Sequence, residues 1–400
     1  MGFLSGIKVI DATYGLAGPI ATQVLVDFGA EIVRIDKPNA QRRPDDLVRL
    51  RGRRSIAIDL SRPEAGVVLE RLLTTADILI TEPALDGRDP IATQFTNGPS
   101  STAPLRIHGE GRATAGVRFP RLIWLRITGY GDEGPMAGGW AHDHLIAARY
   151  GVYDQPGFRE GPTFVTGSIP SLGAGLLAAQ AIGTALYQRE RTGKGQEVMV
   201  SLLAGALAFQ PSIVSASIDP PGGIPPPPTR RPAGAAPFYS IYECAGGRYL
   251  HFGCLTPQFQ RNAISALGLV AELEALGFGT AAGRENTAQI IETVAGRMRQ
   301  RPYDEWAADF EAADVPYAEP QWTEDLLHDA QVAHEGLAVE IQDPTVGPMT
   351  QMGPVASVDG YEWQKPSPAP LPGQHTDAIC RELGLSDDEI AGLRKSGVVA

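Results

Sequence analysis

The chain has 400 residues, of which 43% are hydrophobic and 20% charged, a composition typical of a folded protein with room for two domains. A net charge of −12 excludes a nucleic-acid-binding protein that relies on a positive field. Cys244, Cys254 and Cys380 are widely spaced and form no metal-binding pattern, so we expect buried free thiols in a reducing cytoplasm. We expect no leader peptide and no apolar run long enough to span a membrane.

The first 130 residues alternate between short apolar strands and helical segments. This alternation predicts a parallel α/β sheet with Rossmann-like topology. The predicted strands are residues 7–10, 31–36, 55–59, 77–80 and 122–127, and the predicted helices are residues 17–28 and 63–75. The stretch 82–119 is rich in Gly, Pro, Ser and Thr and weakly patterned, so we predict an irregular excursion there.

The later chain contains a long helix, a linker and a second domain. Ala, Gly and Leu predict the helix from Leu172 to Arg191, and Thr192-Gly-Lys-Gly195 ends it. A run of prolines marks the linker, and paired strands followed by helices predict a smaller α+β domain beyond it. The predicted divisions are 1–218 for the first part of the large domain, 219–236 for the linker, 237–335 for the small domain, and 336–400 for a segment that returns to the large domain.

Short motifs in a fixed order give the strongest indication of a family. They include Leu4-Ser-Gly-Ile-Lys-Val-Ile-Asp11, Leu16-Ala-Gly-Pro19, Arg51-Gly-Arg-Arg-Ser55, Arg191-Thr-Gly-Lys-Gly-Gln196 and Pro372-Gly-Gln-His-Thr-Asp377. Through their order and spacing the chain resembles the class III CoA-transferases, a family that includes formyl-CoA and carnitine CoA-transferases and the α-methylacyl-CoA racemases. The resemblance implies a large CoA-binding α/β domain, a smaller domain, and a homodimer whose two chains interlock like linked rings.

The resemblance also implies where CoA binds. Guanidinium groups suit phosphate oxygens, and backbone N–H groups at a helix N-terminus favour anions. The predicted CoA-binding residues are Ala17, Gly18, Pro19, Lys37, Arg42, Arg51 and Arg54. The alternative is a solvated basic loop beside an ordinary strand-to-helix turn. One departure weakens the implied grip on CoA, because Thr81-Glu-Pro-Ala-Leu-Asp-Gly87 lacks the arginine that the family carries after the fourth strand.

His142 and Asp143 are the next candidates. The racemase branch has Gly-His-Asp at this place, with the histidine as one of its two acid/base residues. Histidine suits proton abstraction beside a thioester carbonyl because its pKa lies near neutrality. The alternative is that His142 only caps or orients a loop, with Asp143 as its partner.

Ser171 stands where both branches of the family carry a catalytic aspartate, four places before the glycine that matches Gly175. In the transferases that aspartate forms a mixed anhydride and then an aspartyl-CoA thioester, and serine has no carbonyl to carry CoA. If Ser171 has no catalytic role, we expect it to be the N-cap of the long helix, because serine is a preferred capping residue. A Ser-His-Asp triad of Ser171, His142 and Asp143 is a further hypothesis.

Three functions stay open from the sequence. The first is transfer of CoA between carboxylic acids without the usual aspartyl-CoA intermediate, with acyl-CoA and a small carboxylic acid as substrates. The second is racemase-like chemistry at the α-carbon of an acyl-CoA, with His142 as the base. The third is a non-catalytic subunit that pairs with an Asp-bearing relative, in place of the homodimer. We expect no permanently bound cofactor and no metal site.

Overall fold

The computed structural model describes residues 2–82, 91, 119–153, 164–209, 236–354 and 356–400, which divide into two compact units. Unit 1 contains the described residues of 2–152, 166–209 and 327–400, and unit 2 contains those of 153, 164–165 and 236–326. Of the predicted excursion, only residues 82, 91 and 119 are described, and of the predicted linker only residue 236. The rest of both predictions lies outside the described residues.

Unit 1 is built on a parallel sheet flanked by helices. Its elements in the N-terminal half are β1 Lys8–Ala12, α1 Ala17–Asp27, β2 Glu31–Asp36, α2 Asp46–Arg49, β3 Arg53–Ala57, α3 Ala65–Thr75, β4 Ile78–Thr81, β5 Ile123–Thr128, α4 Asp143–Arg149, α5 Ile169–Thr192, β6 Glu197–Ser201 and α6 Leu202–Ala208. The sheet order is β3-β2-β1-β4-β5-β6, and every pairing in it is parallel. The predicted parallel α/β sheet is confirmed.

The order of this sheet creates a switch point between β1 and β4. From β1 the chain builds outward to β2 and β3, and it then returns to add β4 on the opposite side. In open α/β sheets, ligands bind in the crevice beyond the carboxyl ends of the strands at such a point. The residues that follow β1 and β4 therefore flank the expected site.

Glycines allow α5 to pack closely on its neighbours. A Cβ atom at Gly175 would lie 2.6 Å from a methyl group of Ile20, so α1 and α5 approach each other only because this side chain is absent. A Cβ atom at Gly173 would lie 2.4 Å from the carbonyl oxygen of Gly205 on α6. This packing fixes the first turn of α5 close to the switch point.

Unit 2 has a three-stranded antiparallel sheet covered by helices. Its elements are β7 Ile241–Glu243, β8 Tyr249–Phe252, α7 Pro257–Leu267, α8 Val270–Ala275, α9 Ala281–Glu285, α10 Thr287–Met298, α11 Tyr303–Ala312 and β9 Tyr317–Ala318, in the sheet order β7-β8-β9. Phe238, Phe252 and Phe310 pack at the centre of its aromatic core, and the Phe252 and Phe310 rings lie 5.1 Å apart.

The C-terminal segment of unit 1 covers the outer edge of β3. Its elements are α12 Ala330–His334, β10 Ala338–Asp343, β11 Gly347–Met352, α13 Thr376–Glu382 and α14 Asp387–Lys395, and a 3-10 helix at Leu326–His328 precedes them. Nδ1 of His375 accepts the N–H of Ser55, and Thr376 Oγ1 accepts that of Ala57, both at 3.1 Å. These side chains satisfy backbone donors that an edge strand otherwise exposes.

One sequence expectation about membranes needs correction. Among the described helices, α5 alone has the length and apolarity to cross a membrane, with a mean hydropathy of 1.4. The charged residues of α5 are Arg189, Glu190 and Arg191, all in its last turn. The expectation overlooked the uncharged run that precedes them. Nearly half of the apolar window is buried in unit 1, and a buried core helix of a globular domain can have this length and composition. The three cysteines are free and buried, as predicted.

Candidate functional site

Ser171 lies inside the first turn of α5 and does not cap it. The helix begins at Ile169 with Ser168 as the N-cap residue, and Pro170 occupies the first turn, which proline tolerates well. The prediction of an N-cap at Ser171 was therefore wrong. Its cause is that the helix begins before the Ala-, Gly- and Leu-rich stretch from which the start was predicted.

Both hydrogen-bond donors of Ser171 bind one carboxylate. Its Oγ–H donates to Oδ2 of Asp143 at 2.7 Å, and its backbone N–H donates to Oδ1 at 2.8 Å. Ser171 is 2% exposed and Asp143 is 7% exposed. The carboxylate thus satisfies a free N–H at the N-terminus of α5, where the helix dipole stabilises negative charge. Ser171 therefore supplies a buried hydroxyl group whose orientation is fixed by its hydrogen bond to Asp143.

This geometry does not form a Ser-His-Asp triad. In such a triad the serine hydroxyl donates to an imidazole, and the carboxylate orients the other ring nitrogen. Here the hydroxyl of Ser171 donates directly to Asp143, and Nδ1 of His142 accepts the backbone N–H of His144. The triad hypothesis is therefore wrong for this arrangement.

His142 caps α4 from an exposed position. Its backbone is extended, and its Nδ1 accepts the backbone N–H of His144 at 3.4 Å. The two imidazole rings lie 5.6 Å apart. Since Nδ1 acts as an acceptor, the proton of a neutral ring resides on Nε2. The interpretation in which His142 caps a loop agrees with this geometry, and Asp143 is bonded to Ser171 instead of to the imidazole.

Glu82 is the polar residue at the switch point that sequence reasoning missed. It directly follows β4, and its Oε2 accepts the N–H of Gly15 at 2.7 Å and that of Tyr14 at 3.2 Å. A Cβ atom at Gly15 would lie 2.5 Å from Oε1, so a larger residue there would displace the carboxyl group from this position. An acidic residue immediately after a strand at the switch point was the signal available in the sequence.

The surroundings of Glu82 favour its protonated form. Burial, followed by the charges of Asp11 and Asp143, raises its pKa above the ordinary value, although the two N–H groups of the turn oppose that shift. The carboxyl ends of β1 and β4 therefore bring together Asp11, Glu82, Asp143 and Ser171. This set offers a fixed hydroxyl, anchored carboxylates and a carboxyl group that holds its proton to higher pH than usual.

The β1–α1 turn does not present the surface predicted for CoA phosphates. Ala17, Gly18 and Pro19 are all buried. A Cβ atom at Gly18 would lie 2.0 Å from Oγ1 of Thr13, so the glycine serves close packing within the turn. Two of the backbone N–H groups that precede this segment are already bound to Glu82. In this arrangement these N–H groups are bound by a carboxyl group that the chain itself supplies.

Two of the predicted phosphate ligands are occupied by internal acids. Arg51 is completely buried, and its Nη2 lies 3.2 Å from each carboxylate oxygen of Asp27. Arg42 forms a bidentate pair with Asp343 at 2.8 and 3.0 Å. The side chain of Arg51 is therefore inaccessible to a phosphate group in this structure, and the side chain of Arg42 is only slightly exposed. The prediction failed to foresee this because acids distant in sequence neutralise these guanidinium groups.

Arg54 and Lys37 remain accessible. Arg54 donates twice to Glu382 at 2.7 Å, but both side chains are substantially exposed, so this pair is weak. Lys37 is exposed, its Nζ lies 5.2 Å from the centre of the Tyr14 ring, and it forms no ion pair with another described residue. Of the predicted CoA ligands, Lys37 is therefore the cation with the least internal neutralisation.

The chain matches the family model of CoA-transferase family III over residues 4–86 and 105–376. Among curated proteins, it is 27% identical to succinyl-CoA:glutarate CoA-transferase of Mus musculus, covering 99% of this chain and 90% of that protein. It is 28% identical to α-methylacyl-CoA racemase of Homo sapiens, covering 99% and 97%. A solved CAIB/BAIF family protein from Brucella suis shares the fold, with a TM-score of 0.77 and 24% identity over 96% of this chain and 99% of that one.

Proposed function

Because the chain belongs to CoA-transferase family III, we propose that it transfers CoA between two carboxylic acids, with the acceptor carboxylate attacking the bound thioester directly. The observation that carries the proposal is the hydrogen bond from Ser171 Oγ to Asp143. A hydroxyl at this position has no carbonyl to accept CoA, and it is engaged as a donor. In this proposal the attacking carboxylate therefore comes from the substrate.

The steps balance without an enzyme-bound acyl group. A carboxylate oxygen of the acceptor attacks the thioester carbonyl, the C–S bond breaks, and CoA leaves as a thiolate from a mixed anhydride of the two acids. The thiolate then attacks the acceptor's carbonyl carbon in that anhydride, and the donor acid leaves as its carboxylate. No net proton is consumed, so the protein's task is to hold both acids in contact.

For CoA itself we propose Lys37 as the principal phosphate ligand, with Arg54 in a supporting role. Among the predicted CoA ligands, Lys37 is the exposed cation without an ion pair to a described residue, and Arg54 is held by Glu382 in an exposed pair. Arg42, Arg51 and the segment 17–19 support the surrounding structure in this proposal. Exposed cations attract phosphates more strongly when no carboxylate competes for them.

Oxygen-isotope transfer tests the direct attack. A panel of acyl-CoA donors and acceptor acids, beginning with succinyl-CoA and glutarate, would first identify a pair that reacts. In a single turnover with acceptor carboxylate labelled with 18O, direct attack places label in the released donor acid. A route through a carboxylate of the protein places unlabelled oxygen in that acid and leaves label on the protein.

The matched controls are Ser171→Ala and Asp143→Asn, analysed by intact-mass spectrometry of the protein after exposure to the donor. Label on Asp143, or an acyl adduct on Ser171, would contradict direct attack. Absence of transfer with every pair, while CoA still binds, favours the non-catalytic subunit. That outcome is decided by searching for a related partner chain that restores turnover.

A second candidate function is proton exchange at the α-carbon of an acyl-CoA with His142 as the base. The observation that favours it is the exposed imidazole at the start of α4, whose Nδ1 would exchange its long 3.4 Å contact with the N–H of His144 for the substrate proton. Incorporation of solvent deuterium into acyl-CoA, lost in His142→Asn, would support this function. If His142 only caps the helix, His142→Asn keeps the cap and all activity, since asparagine is a preferred N-cap residue.

We also propose a homodimer that covers the outer face of α5 and β6. Leu172, Leu176 and Met199 are 46–49% exposed there, and Phe209 after α6 is 56% exposed. A groove of about 660 Å³ runs between α5 and β6, and β6 is an edge strand. Exposed apolar surface beside an unpaired edge favours association. Light scattering of the purified chain tests this, and a monomer at micromolar concentration would contradict it.

A further inference from the structure

Glu82 has one carboxyl oxygen that is fully engaged and one that is not. Oε2 accepts the N–H groups of Tyr14 and Gly15, whereas Oε1 has no hydrogen-bond partner among the described residues. The side chain is only half-buried, so a ligand in the crevice can reach it. Its position directly after β4 places it where ligands of this sheet topology bind.

The charges that face Glu82 make a second anion costly at this point. Asp11 at the end of β1 and Asp143 at the start of α4 both act on it. Asp11 is partly neutralised by Arg34, whose Nη1 lies 3.6 Å away, and it also interacts with Arg53. Asp143 has no cation paired with it among the described residues, because its partner is Ser171.

The acceptor of the proposed reaction is itself a carboxylate, and it must enter beside these acids. An ionised Glu82 would repel it, whereas a protonated Glu82 would present an O–H donor. We propose that Glu82 works as a neutral carboxyl group whose Oε1–H donates to the carboxylate of the acceptor acid. The inference rests on the proposed CoA transfer and identifies Glu82 as the acceptor-binding residue. Its proton stays on Glu82 throughout, so the reaction remains balanced.

The consequence is a defined pH dependence. Burial and the neighbouring carboxylates shift the titration of Glu82 upward, so the neutral form persists to higher pH than in a free glutamate. Acceptor affinity is then highest at low pH and falls as Glu82 ionises. Loss of a hydrogen bond to a charged group corresponds to about 10–100-fold in affinity. Affinity for CoA is expected to show no such fall.

The test measures acceptor binding instead of turnover, so that it can fail independently of the proposed function. Calorimetry would follow glutarate and other small dicarboxylates binding to the CoA-loaded protein from about pH 4, near the ordinary pKa of glutamate, to about pH 9. Wild type should lose about 10–100-fold in affinity across the scan. Glu82→Gln, which is neutral at every pH and keeps an acceptor for Tyr14 and Gly15, should bind with no such loss.

Two further variants separate the alternatives. His142→Asn should retain the wild-type pH dependence of acceptor binding, because the proposal assigns that dependence to Glu82. Glu82→Ala should bind the acid weakly at all pH values; if it does not fold, Glu82→Gln still decides the question. The proposal is overturned if wild type binds no dicarboxylate, if its binding is independent of pH, or if Glu82→Gln follows the same pH curve.

Discussion

The arginine-rich segment from Lys37 to Arg54 and the acidic cluster at the switch point differ in how their charges are balanced. In the segment, Arg42, Arg51 and Arg54 each bind a carboxylate from elsewhere in the chain. In the cluster, Glu82 and Asp143 are held by N–H and O–H donors instead of by cations. Charge density along a sequence therefore does not measure the charge that is available to a ligand. Whether a charged side chain can bind a ligand depends on whether the fold places an opposite charge or a hydrogen-bond donor beside it.

The largest expected effect concerns the buried pair within the arginine-rich segment. Asp27→Ala would leave the fully buried guanidinium of Arg51 without its counter-charge, and breaking a buried pair costs about 3–5 kcal/mol. Arg54→Ala breaks an exposed pair and should change the free energy of unfolding by about 0–1 kcal/mol. Denaturant unfolding of both variants measures the difference. Equal effects would mean that Arg51 is not the structural member of the segment.

The next effect concerns the acidic cluster. Ser171→Ala removes one donor from Asp143 and should destabilise the protein by about 1–3 kcal/mol, because a buried carboxylate oxygen loses its partner. Asp143→Asn should cost a similar amount, and the double variant should cost less than the sum of the two, with a coupling of about 0.5–3 kcal/mol. A double-mutant cycle measured by thermal unfolding checks this. Strict additivity would show that the hydrogen bond contributes nothing to stability.

The sequence predicted the sheet because its signals are local. Continuous apolar stretches such as 78–81 form buried parallel strands whatever their partners are, and Gly193 ends α5 in a left-handed conformation as the glycine signal indicated. The site was predicted less well because its contacts are distant in sequence. Asp143 reaches Ser171 and Asp343 reaches Arg42 only after the sheet has formed.

The start of α5 shows how one boundary changes the chemistry assigned to a residue. Three residues separate the predicted start at Leu172 from the observed start at Ile169, and within that interval Ser171 changes from a cap to a buried side chain that binds Asp143. Glu82 was missed because an acidic residue directly after a strand gains significance only when the strand order places that strand at the switch point. The first error concerns a local helix boundary and the second concerns strand order, and neither concerns the chemistry of the residue type.

The smallest expected effect separates Lys37 from Arg54 as CoA ligands. Lys37 is exposed and has no ion pair among the described residues, whereas Glu382 competes for Arg54. Lys37→Ala should therefore weaken CoA binding up to about 5-fold, and Arg54→Ala less than about 3-fold, since an interaction between exposed charges is worth about 0–1 kcal/mol in water. Calorimetry with CoA at two salt concentrations measures both, and the Lys37 contribution should shrink at the higher one. Glu382→Ala is the matched control, because it frees the guanidinium of Arg54 and should tighten CoA binding if that group lies near a phosphate. Equal affinity in all four proteins would place the phosphates away from this segment and leave the CoA contacts to residues outside it.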